Sequence, residues 1–148
     1  MIYAKFTKKA ETALMYAREC AMAFRQPYIG TEHILWGLAK EGTGIAASVL
    51  KTAGINEERI SQKIMELIGS GDDSGQSLSY TPRTKRVLEL SYTEARRMGQ
   101  NFIGTEHILI GIMREGESVA IKILIDLGID IRKLYENIIS MLSEDTPS

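Results

Sequence analysis

Apolar residues recur at helical spacing through most of the chain. Ala10, Ala13, Leu14, Ala17 and Ala21 return every three or four positions, a narrow stripe on one face of a helix. Thr7 is a good N-cap for that helix, and Phe6 before it can staple onto the first turn. Arg25-Gln26-Pro27 ends it near Phe24, because a residue before proline is biased out of the helical region. Small residues on the stripe predict that another helix approaches closely. Ile34, Leu35 and Leu38 mark a second helix that opens after Gly30, with Thr31 as its expected cap, and closes at Glu41-Gly42. Ala46, Ala47, Val49 and Leu50 mark a third over about 44–52, stopped by Gly54. Ile60, Ile64, Leu67 and Ile68 mark a fourth, capped by Asn56. No convincing strand-like alternation appears, so no strand is expected.

The scheme then repeats. Residues 29–35 read I-G-T-E-H-I-L, and residues 103–109 read the same, an offset of 74 in a chain of 148. At that offset Gly37 matches Gly111, Glu41-Gly42 matches Glu115-Gly116, Leu50 matches Leu124, and Thr7 matches Thr81. This is an internal duplication. Helices of the second half are expected near 81–98, 105–115, 118–127 and 130–142, with Thr81-Pro82 as a cap followed by proline at the first helical position. The predicted fold class is all-α: two pseudo-symmetric four-helix repeats packed as one domain. Repeat 1 covers 1–68 and repeat 2 covers 80–142. Between them, residues 69–79 are rich in glycine, serine and aspartate and read as a linker, and 143–148 read as a polar tail. Trp36 stands opposite Ile110, so the two halves are not expected to pack identically.

Composition narrows the function classes. With 18 basic and 19 acidic residues the net charge is −1, which gives no global field to attract nucleic acid or an anionic membrane. No apolar run approaches the ~20 residues of a membrane span, and Lys5, Lys8 and Lys9 interrupt any N-terminal apolar run. The single cysteine, Cys20, allows no internal disulfide and no multi-cysteine metal site. Its helical, apolar neighbours predict a buried, inert thiol in a reducing compartment. A soluble, cytoplasmic protein is the expectation.

Several motifs fail on context. Gly42-Thr43-Gly44 with Ala47 matches a loose dinucleotide pattern, but a helix precedes it where a strand is needed. No phosphate loop of the G-x-x-x-x-G-K-[ST] type occurs. His33 and His107 each follow a glutamate, but neither has a second histidine four residues on, so both read as packed or hydrogen-bonded rather than metal-binding. Ser70 lies in the linker without a strand-to-helix elbow. No catalytic residue and no metal ligand is assigned.

Glu32 and Glu106 remain. A glutamate in a first helical turn complements the helix dipole, which is one sufficient reading of both. Each also follows a Gly-Thr break, expected at a surface helix start, and the starts at Thr7 and Thr81 carry Lys8, Lys9, Arg83 and Lys85. A carboxylate beside cationic helix starts suits a zwitterionic or mixed-charge group. The residues alone leave both readings open.

The paired I-G-T-E-H-I-L segments, each followed by E-G and an alanine-bearing helix, and the starts F-T-K-K-A and Y-T-P-R-T-K, resemble the Clp N-terminal repeat over residues 1–142. The likeness is to the N-terminal domain of ClpC-type AAA+ unfoldases. It implies a module that recruits protein substrates and MecA- or McsB-like adaptors to a hexameric ATPase feeding a peptidase. It also implies two equivalent sites for phosphoarginine, a degradation mark. The glutamates of the T-E-H segments, here Glu32 and Glu106, would hold the guanidinium, which suits a carboxylate partner. Thr7, Thr81, Lys8, Lys9, Arg83 and Lys85 are candidates for the phosphoryl half, with helix N-terminal amides. Lys9 matches Arg83 across the duplication but Glu11 matches Lys85, so the phosphate subsites are not identical. No cofactor is expected in this chain, since ATP would belong to AAA+ modules outside it, and no enzyme activity is expected of the chain alone. The alternative is a standalone helical adaptor or regulator of a Clp protease.

Overall fold

The computed structural model describes residues 5–72 and 78–144. The element order is β1 (Lys5–Phe6), α1 (Lys8–Ala23), β2 (Tyr28–Ile29), α2 (Thr31–Glu41), α3 (Ile45–Thr52), α4 (Glu57–Leu67), β3 (Ser79–Tyr80), α5 (Pro82–Arg97), β4 (Phe102–Ile103), α6 (Thr105–Glu115), α7 (Val119–Asp126) and α8 (Ile131–Glu144). The fold is all-α and duplicated, as the periodicity predicts. The first helix of each repeat has its expected cap: the Thr7 hydroxyl accepts the Ala10 amide hydrogen at 3.1 Å, and Thr81 accepts that of Thr84 at 3.0 Å. Asn56 caps α4 through Arg59 at 2.9 Å.

Four two-residue strands correct the expectation of none. They are too short to leave an alternating pattern, and they pair across the duplication rather than within a repeat. β1 lies parallel to β4, with Phe6 opposite Ile103, and β2 lies parallel to β3, with Ile29 opposite Tyr80. Each repeat therefore presents the start of its first helix to the other repeat. Helix α8 also runs to Glu144, two residues into the stretch read as a polar tail, and Ser79 at the end of the linker belongs to β3. Residues 1–4, 73–77 and 145–148, parts of the lead-in, linker and tail, lie outside the described residues.

One apolar core spans both halves, with Ile34, Leu35, Leu38, Ile108, Leu109 and Ile110 fully buried in it. The close approach predicted from the alanine stripe occurs in each repeat. A Cβ added to Gly37 of α2 would come within 2.9 Å of the Ala17 backbone nitrogen, and one added to Gly111 of α6 within 2.6 Å of the Val87 carbonyl oxygen. Both contacts are with backbone, so the two helices can pack this closely only through glycine. Trp36 is part-buried and donates to the Ser61 hydroxyl at 2.8 Å, whereas Ile110 is wholly buried, so the halves differ there as expected. Cys20 is buried, and that burial, with the nearby Glu32 charge second, pushes its thiol up to about 12. It is an inert core residue. Among the described residues no helix is long and apolar enough to cross a membrane.

Candidate functional site

The parallel pairing of β1 with β4 sets the start of α1 beside the start of α6. Together with the start of α3 they enclose a hollow of about 300 Å³, lined by Thr7, Lys9, Thr43, Gly44, Thr105 and Glu106 among others. The pairing of β2 with β3 does the same for α5, α2 and α7. That hollow, of about 400 Å³, is lined by Thr81, Arg83, Thr31, Glu32, Glu117 and Val119 among others. Three helix N-termini converge on each. Their dipoles favour negative charge, and each hollow also holds a basic side chain and a carboxylate.

The candidate residues are thus brought together in crossed pairs. Glu106 meets Thr7 and Lys9 of the first repeat, and Glu32 meets Thr81 and Arg83 of the second. Lys8 and Lys85 line neither hollow; both are exposed on their helices. Thr43 and Glu117, each two residues past the E of an E-G step, line the hollows and were not singled out from sequence. The repetition of E-G at the offset was the available signal, but it says nothing about which helix starts lie opposite.

The local geometry of the T-E-H segment corrects two expectations. Thr31 and Thr105 do not cap their own helices. The N-caps are Gly30 and Gly104, and their N–H groups donate to Nδ1 of His33 and His107, each at 2.9 Å. The imidazole at the third helical position does the work of the glutamate in a capping box. The threonine hydroxyls reach the other repeat instead. Thr31 Oγ1 accepts the Ala120 amide hydrogen at 3.2 Å, and Thr105 Oγ1 that of Ala46 at 3.3 Å. Each hydroxyl satisfies a first-turn amide of the opposite third helix, so it ties the repeats together. Thr31→Ala or Thr105→Ala should lower stability by roughly 0.5–2 kcal/mol, the range for a lost helix-start acceptor. Serine at either position should restore most of it. Urea melts of the four variants check this, and equal losses for alanine and serine would assign the effect to the methyl group.

Glu32 does not stand at an exposed helix start; it is 3% exposed, while Glu106 is half-buried. The Glu32 side chain folds back over its own helix start: a Cβ on Gly30 would lie 2.8 Å from the carboxyl carbon. Burial raises the Glu32 carboxyl above the usual range, and a hydrogen bond from its own backbone N–H works against that rise. Burial holds His33 down to about 4, and lowers His107 against the opposing charges of Glu106 and Glu94. Both rings are neutral at pH 7. Because Nδ1 accepts, the proton sits on Nε2. Nε2 of each ring has no hydrogen-bond partner, and that of His33 lies 4.0 Å from the Glu32 carboxylate. Among the described residues no cluster of three or more His, Cys, Asp or Glu is placed to hold a metal ion.

The model of the Clp repeat (R) N-terminal domain matches residues 5–127. The chain is 43% identical over 145 residues to the negative regulator of genetic competence ClpC/MecB of Bacillus subtilis, covering 98% of this chain and 18% of that relative's length. Among solved structures, the N-terminal domain of the ClpD chaperone of Arabidopsis thaliana superposes with a TM-score of 0.79 at 22% identity, over 95% of this chain and 99% of that one. A ClpV N-domain in complex with a VipB peptide superposes with a TM-score of 0.72 at 19% identity, over 97% of this chain and 91% of that one. Two interlocked repeats, a T-E-H segment in each and a match across most of the chain agree: this chain belongs to the Clp repeat N-terminal domain family.

Proposed function

We propose that this chain is the substrate- and adaptor-recruiting N-terminal domain of a ClpC-type ATP-dependent unfoldase, and that each hollow binds one phosphoarginine of a marked protein. The observation that carries the reading is the mixed charge of each hollow. A carboxylate and a basic side chain line each hollow, where three helix N-termini converge. Phosphoarginine needs both: a planar guanidinium for the carboxylate, and a phosphoryl group for the cation and the amides. A phosphate alone would meet the carboxylate, and an unmodified arginine would leave the cation and amides without a partner. The ATPase, the peptidase and MecA- or McsB-like adaptors would be partners of the whole protein, of which this chain is the recruiting part. The peptide complex of the ClpV N-domain gives a precedent for peptide capture on the same fold.

Calorimetric titration of the chain with free phosphoarginine tests the reading. Saturation at two ligands per chain is expected, with arginine and phosphoserine each much weaker. Absence of binding, or equal binding of arginine, would defeat it.

A further inference from the structure

Resting on that reading, we infer that the two hollows are not equivalent: the Lys9–Glu106 hollow is the stronger phosphoarginine site, and Glu117 weakens the Arg83–Glu32 hollow. The loops that enter the two hollows are held in the same way. The Glu41 carboxylate accepts the Thr43 N–H at 3.1 Å and the Gly44 N–H at 2.6 Å, and the Glu115 carboxylate accepts the Glu117 N–H at 2.9 Å. Residues 43 and 117 therefore stand at matching places on matching loops, and each lines its hollow. One is a threonine, the other a glutamate. The charged side chains lining the first hollow balance; those lining the second carry one excess negative charge.

The basic residues differ as well. Lys9 reaches the Thr43 carbonyl oxygen at 3.4 Å and is in no ion pair among the described residues. Arg83 is already paired, with Nη1 2.5 Å from the Glu115 carboxylate. In repeat 1 the matching Glu41 carboxylate bonds the Thr43 hydroxyl and leaves Lys9 alone. A phosphoryl group entering beside Lys9 meets an ammonium that is in no ion pair among the described residues. One entering beside Arg83 competes with Glu115 for the guanidinium and lies next to Glu117. Glu32 is also more deeply buried than Glu106, so the guanidinium end gains no compensating access.

Exchanging the loop residues tests this. Glu32→Gln isolates the Lys9 hollow and Glu106→Gln isolates the Arg83 hollow, each titrated with phosphoarginine by calorimetry. The isolated Lys9 hollow should bind roughly threefold to fivefold more tightly, the scale of one partly exposed charge. Glu117→Thr should tighten the isolated Arg83 hollow by about the same factor, and Thr43→Glu should weaken the isolated Lys9 hollow. Both shifts should shrink in 1 M salt, where charges are screened beyond ~3 Å. Equal affinities in the two backgrounds, no effect of Glu117→Thr, or shifts unmoved by salt would overturn the inference while leaving the phosphoarginine reading intact. Absence of binding in the unsubstituted chain would remove both.

Discussion

Converting both Glu32 and Glu106 to glutamine is expected to abolish phosphoarginine binding without loss of stability at neutral pH. Glutamine keeps the shape and removes the charge. A hydrogen bond to a charged group contributes ~1.5–3 kcal/mol, so each site should weaken tenfold or more. The stability half follows from the raised carboxyl of Glu32. A group whose folded pKa lies above its unfolded value contributes stability that is complete below the unfolded pKa, and that contribution is lost as pH rises through the folded one. Ionising Glu32 therefore weighs against the fold, and Glu32→Gln should leave the melting temperature unchanged or raise it. This is the behaviour of a residue kept for a ligand. Calorimetry and thermal melts on the same samples decide it. Unaltered binding by the double variant would place the guanidinium elsewhere. Loss of stability together with binding would make the two glutamates parts of the scaffold.

What could be read in the sequence was what is local. The caps at Thr7, Asn56 and Thr81 each bond an amide three residues on, so residue type and position suffice to predict them. Thr31 obeys the same grammar and departs from it, because its hydroxyl bonds an amide 89 positions away. Nothing near Thr31 announces that partner, and nothing near His33 announces that its ring takes over the cap. The duplication pointed to Glu32 and Glu106. It could not tell that each lies beside the first helix of the other repeat, since that depends on the parallel pairing of strands only two residues long. The place of residues 43 and 117 in the two hollows was hidden for the same reason. The difference in residue type is plain at the offset, but its meaning appears only once both loops are seen to enter matching hollows.

Acidification should destabilise the domain through His33 and His107, and this is the larger stability effect. Both rings are buried, accept a hydrogen bond at Nδ1 and leave Nε2 without a partner. Protonating Nδ1 would break the bond to the N-cap glycine and place a charge in the core. For a histidine whose folded pKa is depressed, the unfolded chain binds the proton first. The contribution to stability is then present above the unfolded value and lost as pH falls towards the folded one. For His33 that window runs from 6.5 down to about 4, a loss of about 3 kcal/mol at ~1.4 kcal/mol per unit. His107 acts in the same direction. The raised carboxyl of Glu32 opposes the trend, because its protonation favours the fold. A clean control exists in His33→Gln with His107→Gln. Glutamine at the third helical position can reach back to the N-cap N–H as in an ordinary capping box, but it does not titrate. Urea melts at steps from pH 7 to pH 4 should show a falling midpoint for the parent and a much flatter profile for the double variant. A parent whose midpoint holds constant down to pH 5, or a variant that falls just as steeply, would show that the buried imidazoles are not the acid-sensitive element of this fold.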